Sequence, residues 1–548
     1  MATTSDTRQL TWTLAWAVVF CDIGTSVYYV PGILYGNVGD QTPFFILLTT
    51  LGFIPLALKY IEITWRNPEG GGVVTITTKA FGPMWGCLGG MLITTSYFLT
   101  AAISAVSGVH YIASVLHFLD SHIVILACIG LGALALLNII GIRESATAAL
   151  VMAVTAFAVD LLVIFFSSKE LSFSQWSQAF ENLTPGKEMT LNNLLVGFAA
   201  AWLAFSGLES ISQLSPTMRL PLRKTTRWAM YAVIGTMILT APLLSLLSIN
   251  LLTPDFKSTQ SERFISQIAS ISGGFGLQLA VVVSASSLLL FAANTAIIGA
   301  YHIFLALAKS DFLPRIIGLR SERFNSPHIA IFIATAVPIV VIIATQGELA
   351  LLGELYAFGL LEAFFFSSLS LDIIRWRLGR RDIGFWLGTL TTAMILLAWI
   401  VNLVEKELAT LFGGVLTIIG MLIAVGVRRS WFVDILHQIP AIQRLQERAY
   451  LASEALVDEE LKGLVTLADA VELKGLYPAS TLLALRGETP GLIQQGINLA
   501  RGKGKTSLYC IYVERSGRAC STEASRTGPT KRASELCALR CSRCAART

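Results

Sequence analysis

Val18-Val19-Phe20-Cys21-Asp22-Ile23-Gly24-Thr25-Ser26-Val27-Tyr28-Tyr29-Val30-Pro31-Gly32 is an apolar stretch with a carboxylate, a glycine and two hydroxyls set into its middle. It lies within an apolar run over 10–36, and roughly 20 mostly apolar residues suffice to cross the hydrocarbon core of a bilayer. A second stretch repeats the device: Ala204-Phe205-Ser206-Gly207-Leu208-Glu209-Ser210, inside the apolar run 191–214. Backbone that leaves the helix at membrane depth is tolerated only where it is buried or lines a cavity. Counted along the chain, the two interrupted segments are the first and the sixth, the same place in two successive five-helix units. Matched interruptions in two halves point to a binding site near the bilayer midplane.

Outward from these two segments, further apolar runs fall at 43–62, 85–116, 122–141, 146–166, 228–252, 275–308, 328–345, 350–373, 383–403 and 409–427, giving an expectation of twelve membrane helices in an all-α membrane protein. The composition agrees: of 548 residues 54% are hydrophobic and only 14% charged, against about 25% charged in soluble globular proteins, and the mean hydropathy is +0.66. A formal net charge of +5 is too small to argue for nucleic acid, and the basic residues cluster in short loops. With the N-terminus inside, the cytoplasmic loops collect roughly 17 Lys and Arg and the opposite loops roughly 5, which predicts cytoplasmic termini and a multi-pass protein of the cell membrane. Leu10 to Tyr35 is too long for the core of a signal peptide, contains Asp22 and lacks a small-residue cleavage site, so it reads as the retained first helix. Cys21, Cys87 and Cys128 lie in apolar segments and read as packed thiols.

An ionisable residue at the bilayer centre costs about 2.5–3.5 kcal/mol on insertion scales, so Asp22 and Glu209 need pairing, protonation or a bound cation. Either carboxylate can serve as the cap of a half-helix N-terminus. The functional alternative is that Asp22 coordinates a cation, with freed carbonyls and nearby hydroxyls completing an oxygen cage. Glu209, held in a low-dielectric site, is then suited to carry a proton. Among the other polar residues in the spans, Asp372 is expected at the interface and Glu354 near the outer end. Asp160 and Glu362 also fall inside spans, and helix packing accounts for Glu362 at least as well as function does. His110 and His302 read as packing residues, and Asn294 either bonds across helices or lines the pathway.

Five further segments, in order and spacing, carry a resemblance: Asn67-Pro68-Glu69-Gly70-Gly71-Gly72, Ala80-Phe81-Gly82-Pro83, Asn138-Ile139-Ile140-Gly141-Ile142-Arg143, Gly207-Leu208-Glu209-Ser210 and Leu307-Ala308-Lys309-Ser310-Asp311-Phe312-Leu313-Pro314. The chain resembles the amino acid–polyamine–organocation (APC) superfamily over all twelve helices, which implies a LeuT-like inverted repeat of five plus five helices working by alternating access. Amino acid permeases of that superfamily carry a Gly-x-Gly break in the first helix. Here Gly24 is followed by Ser26, and Asp22 would repel a substrate carboxylate. Asp22-Ile23-Gly24-Thr25-Ser26 followed by Tyr29 instead resembles the first-helix motif of Kup-type and KimA-type potassium importers. That resemblance implies a potassium site made by Asp22, Tyr29, Thr100, Ser104 and Ser206, with Glu209 in the proton-coupling position. Ser206 stands where those importers have threonine, which keeps the oxygen.

Past the last apolar run, 428–462 reads as an amphipathic cytoplasmic linker. The segment 463–514 reads as a partial α/β domain: a strand at Thr481–Gly487, a helix at Thr489–Arg501 and a strand at Thr506–Val513. It resembles part of a universal-stress-protein-like domain, which implies a dimerising or nucleotide-sensing regulator and hence a homodimer or a bound nucleotide. Gly504-Lys505-Thr506 is no phosphate loop, because Leu499 stands where the loop requires its first glycine. The segment 515–548 has almost no apolar periodicity and is expected to be disordered, consistent with an out-of-frame extension. Cys537, Cys541 and Cys544 there lack the second Cys pair or His that a zinc site needs.

Taken with that resemblance, the residues imply a secondary active importer of potassium or another cation, coupled to protons through Glu209. The alternative is an amino acid permease in which Gly24, Thr25, Ser26 and Gly207 offer backbone groups to the substrate. A membrane nutrient sensor is the third expectation. No Gly-x-Ser-x-Gly or His-Glu-x-x-His motif favours an enzyme, and no resident cofactor is implied outside the tail.

Overall fold

The computed structural model describes residues 10–428, apart from 69, 142–145, 187–188 and 322, together with 480–485, 507–513 and 520–523. The chain divides into two compact units, Met1–Gln446 and Glu447–Thr548.

Among the described residues of the first unit the regular elements are helices, apart from an isolated bridge between Leu10 and Met218. In order they form α1 (Trp12–Ile23), α2 (Ser26–Val38), α3 (Thr42–Arg66), α4 (Gly72–Phe81), α5 (Pro83–Ala113), α6 (Ile123–Ile140), α7 (Ala146–Glu170) and α8 (Phe173–Glu181). There follow α9 (Leu191–Ala201), α10 (Ser210–Gln213), α11 (Leu222–Leu251), α12 (Pro254–Thr259), α13 (Phe264–Lys309), α14 (His328–Ala344), α15 (Leu349–Arg377), α16 (Ile383–Glu405) and α17 (Glu407–Arg428). Ten stretches among the described residues are long and apolar enough to cross a membrane. The first, Trp12–Arg66, contains α1, α2 and α3 with a turn at Gly39–Gln41, and α14 is a shorter apolar helix outside the ten. The expected count of twelve is therefore not met directly.

Burial divides the helices by role. The apolar window of α5 is 94% buried, while those of α17 and of the stretch holding α6 are 22% buried. Ile125, Ile129, Leu411, Ile418 and Leu422 project outward, an apolar surface that suits lipid. At the centre small residues bring backbones together, as they do between membrane helices. Gly86, Gly89 and Gly90 of α5 face Val73, Val74, Thr77 and Thr78 of α4, and Gly359 of α15 lies against the Ser96 backbone of α5.

Three local features depart from expectation for physical reasons. Helix α4 lies between the expected spans 43–62 and 85–116, where no helix is expected. Its Val73-Val74-Thr75-Ile76-Thr77-Thr78 run is β-branched and a poor helix former, and packing on the glycines of α5 overrides that propensity. Helix α13 begins at Phe264, not 275, because a kink at Gly274 (φ 66°) joins a short helical lead to the apolar span. Helix α8, short and unanticipated, starts at a capping box in which Ser172 and Gln175 bond each other's backbone.

In the second unit, β1 (Ser480–Leu485) pairs in parallel with β2 (Ser507–Val513), Ser480 opposite Ser507 and Leu485 opposite Tyr512. β3 (Cys520–Glu523) pairs antiparallel with β2, and it falls within the segment expected to be disordered. The expected linker at 428–462 (beyond Arg428) and the expected helix at Thr489–Arg501 lie outside the described residues.

Candidate functional site

Both expected interruptions are present. Helix α1 ends at Ile23 and α2 begins at Ser26, with Gly24 and Thr25 between them. Helix α9 tightens into a single 3₁₀ turn at Trp202–Phe205, the chain leaves helical geometry at Ser206 (φ −59°, ψ 141°), and α10 resumes at Ser210. Side chains take up the backbone groups freed by the breaks. Thr25 Oγ1 donates to the Asp22 carbonyl at 2.6 Å. Ser26 Oγ bonds both the Ile23 carbonyl at 2.7 Å and the Ala204 carbonyl at 2.6 Å, which ties one break to the other.

The two breaks meet at Asp22 and Gly207. Gly207 has φ +96°, in the region that favours glycine, and its backbone runs beside the Asp22 carboxyl group and the Ile23 amide. Ser210 Oγ donates to Asp22 Oδ2. Glu209 follows two residues after Gly207. It is 4% exposed, and its Oε2 has no hydrogen-bond partner among the described residues. Two carboxylates are thus buried side by side, and neither is in an ion pair among the described residues. Two adjacent buried carboxylates do not both stay charged unless a cation joins them; otherwise one of them takes a proton.

Four tyrosines surround the pair. Tyr29 of α2, Tyr97 of α5 and Tyr356 of α15 lie within electrostatic reach of both carboxylates, and Tyr60 of α3 within reach of Glu209. Tyr29 is beside Thr25, and the Tyr97 hydroxyl bonds Gln213 of α10. Thr100 Oγ1 bonds Tyr356 Oη at 2.6 Å and the Ser96 carbonyl at 2.9 Å. The structure therefore brings Asp22, Gly24, Thr25, Ser26, Tyr29, Ser206, Gly207 and Glu209 to the two breaks, and connects Thr100 to them through Tyr356. Ser104 lies one turn beyond Thr100, fully buried, with a hydroxyl that bonds nothing among the described residues.

Sequence reasoning did not assign Ser210, Tyr356, Tyr60 or Tyr97. Ser210 adjoins Glu209 in the motif, but its aim at Asp22 depends on the geometry of the break. Tyr356 carries no local signal, since its partner Thr100 is 256 residues away. Asn294 does bond across helices, accepting from Asn138 Nδ2 at 2.6 Å. Asp372 is 6% exposed and pairs with Lys59 of α3 at 2.7 Å. A separate cavity of about 440 Å³ opens between the ends of α2 and α16 and the starts of α3 and α9, lined by Asn37, Gln41, Phe45, Met189, Asn193 and Glu405 among others.

Comparison with known proteins places this architecture. The potassium transporter KimA of Bacillus subtilis is 30% identical over 316 residues, 57% of this chain and 51% of that protein. The polyamine transporter RMV1 of Arabidopsis thaliana is 25% identical over 325 residues, 58% of this chain and 64% of that protein. The chain thus spans between about half and two thirds of the length of these relatives. A crystal structure of a manganese transporter variant from Eremococcus coleocola shares the fold, with a TM-score of 0.50 at 15% identity over 79% of this chain and 95% of that one. Residues 10–425 match the family described as amino acid permease, so the chain belongs to that transporter family, within the APC superfamily.

Proposed function

We propose that the chain imports a monovalent cation, potassium by preference, in symport with protons by alternating access. The observation that carries this reading is the position of Asp22, buried where the two broken helices meet and bonded by Ser210. A fixed negative charge at that point attracts a cation and repels the carboxylate of an amino acid. In this mechanism the cation binds Asp22, with oxygens from Thr25, Ser26, Tyr29, Ser206 and the Thr100–Tyr356 pair close by, and Ser104 joins as the site rearranges. Gly24 and Gly207 let the two backbones approach. Glu209 takes a proton when the cation leaves and releases it when the cation returns, which couples the two fluxes. The 30% identity to a potassium transporter supports the choice of ion.

The second reading, an amino acid permease, is supported by the description of the matching family and by the backbone freed at Gly24–Thr25 and Gly207. Topology belongs to the same proposal. If Trp12–Arg66 crosses twice and α14 crosses once, the ten stretches become twelve crossings, and the distribution of Lys and Arg supports placing both termini in the cytoplasm. The parallel pairing of β1 with β2 supports a universal-stress-protein-like segment, for which a homodimer contact and a nucleotide are the proposed partners.

The test is uptake into proteoliposomes under an inward proton gradient, with rubidium compared against a mixture of labelled amino acids. Rubidium uptake supports the proposal. Amino acid uptake without rubidium uptake replaces the substrate, and transport of neither points to a membrane sensor.

A further inference from the structure

Helix α2 carries two consecutive tyrosines that serve different carboxylates. Tyr29 lies within reach of Asp22 and Glu209, whereas Tyr28 Oη donates to Asp160 Oδ1 of α7 at 3.1 Å. Asp160 is 1% exposed, as deeply buried as any carboxylate of the transport site. The titratable groups that face it are Tyr28 of α2 and Tyr111 of α5, and α13 places Ser284 against Tyr28. Among the described residues no basic side chain reaches Asp160 from α1, α11 or α13, the other helices packed on α7. Tyr111 Oη donates to the Tyr28 carbonyl at 2.8 Å, and the two rings meet edge to face at 5.4 Å. Tyr28 is therefore held at its backbone, its ring and its hydroxyl.

Among the described residues, a carboxylate in such a place is supported by one neutral hydroxyl, far less than a buried charge requires. A carboxylic acid there retains an acceptor for Tyr28 and gains a donor of its own. Ionisable residues inside a membrane protein that lack a fixed counter-charge mark proton or ion sites. Tyr28 belongs to the half-helix that must move if access alternates, while Asp160 belongs to a long continuous helix, so the bond between them joins a moving part to its support.

We infer that Asp160 is a second proton-binding site, separate from the Asp22–Glu209 pair, and that the Tyr28 hydroxyl passes its protonation state to α2. One proton adds to the carboxylate and leaves from the same oxygen, and the Tyr28 proton stays on its phenol throughout. With Asp160 charged, the charge-assisted bond holds Tyr28 tightly; with Asp160 neutral, the bond weakens and α2 is freer to tilt. The site stands whether the transported species is a cation or an amino acid, because it contains no group of the transport pair.

The test is infrared difference spectroscopy of the purified full chain in lipid, titrated over the pH range in which it stays folded. A protonated-carboxyl stretching band is expected to titrate in wild type, to disappear in Asp160→Asn, and to persist in Asp22→Asn and in Glu209→Gln. Tyr28→Phe leaves the carboxyl in place and guards against a folding failure of the asparagine variant. Its midpoint is expected to move by about one pH unit, the equivalent of one hydrogen bond. The inference is overturned if Asp160→Asn removes no such band, since the group is then permanently ionised, as it would be with a bound metal cation. It is equally overturned if the assigned band is insensitive to pH or Tyr28→Phe leaves the midpoint unmoved.

Discussion

A Cβ placed on Gly207 would stand 2.7 Å from Asp22 Cγ, so the broken sixth segment touches the broken first one through bare backbone. Any side chain at Gly207 displaces Asp22 or unwinds the contact, and φ +96° adds strain of about 1–3 kcal/mol. Gly207→Ala is expected to abolish transport and lower thermal stability, while Gly36→Ala, whose Cβ would meet nothing within 4 Å among the described residues, is expected to leave both unchanged. Uptake assays with melting curves check both variants.

Glu209 Oε2, without a hydrogen-bond partner among the described residues, gives the coupling claim its own test. Glu209→Gln keeps the shape and removes the titration. Substrate exchange between equal concentrations is expected to continue in this variant, and concentrative uptake driven by a proton gradient to be lost. Uptake that still follows the gradient in Glu209→Gln would assign coupling elsewhere.

Lys59 spends its three ammonium donors on Asp372 at 2.7 Å, the Gly388 carbonyl at 2.9 Å and Thr392 Oγ1 at 2.9 Å. Nearby, Glu62 of α3 bonds Arg375 of α15 at 2.6 Å, so α3 is fastened to α15 twice. Lys59→Met leaves Asp372 buried without its counter-charge and is expected to cost about 3–5 kcal/mol. The double variant Lys59→Met with Asp372→Leu is expected to recover most of that loss. Thermal unfolding of the two proteins decides the matter.

Lys406, in the turn between α16 and α17, is buried, and that burial pushes its ammonium down to about 8 against a partial opposing effect of Glu354. Between that value and the ordinary lysine value of about 10.4 the unfolded chain holds a proton that the folded chain has released. Stability from this group therefore rises as pH increases across that window. Lys406→Met is expected to flatten the rise in melting temperature over those pH values.

Much of this architecture was readable along the chain, and what was not has identifiable causes. Glycine, hydroxyl and carboxylate within an apolar run have no role in an unbroken membrane helix, so the breaks at Gly24–Thr25 and Ser206–Glu209 were visible. Helix α4 was hidden because its residues prefer strands and its stability comes from the glycines of α5. The Lys59–Asp372 pair was hidden because its members are 313 residues apart and a single lysine in an apolar run carries no record of its partner. Tyr356 was missed for the same reason. The first-segment motif placed Asp22 and Tyr29 together, but only the fold shows that Tyr28, the neighbour of Tyr29, is bound to Asp160.

Rubidium uptake by proteoliposomes of wild type and Asp22→Asn, side by side under one inward proton gradient, tests the central claim most directly. Losing a charge-assisted contact of about 1.5–3 kcal/mol predicts at least a tenfold rise in the half-saturating rubidium concentration, or loss of uptake altogether. Equal rubidium uptake by the two proteins would contradict a cation site at Asp22.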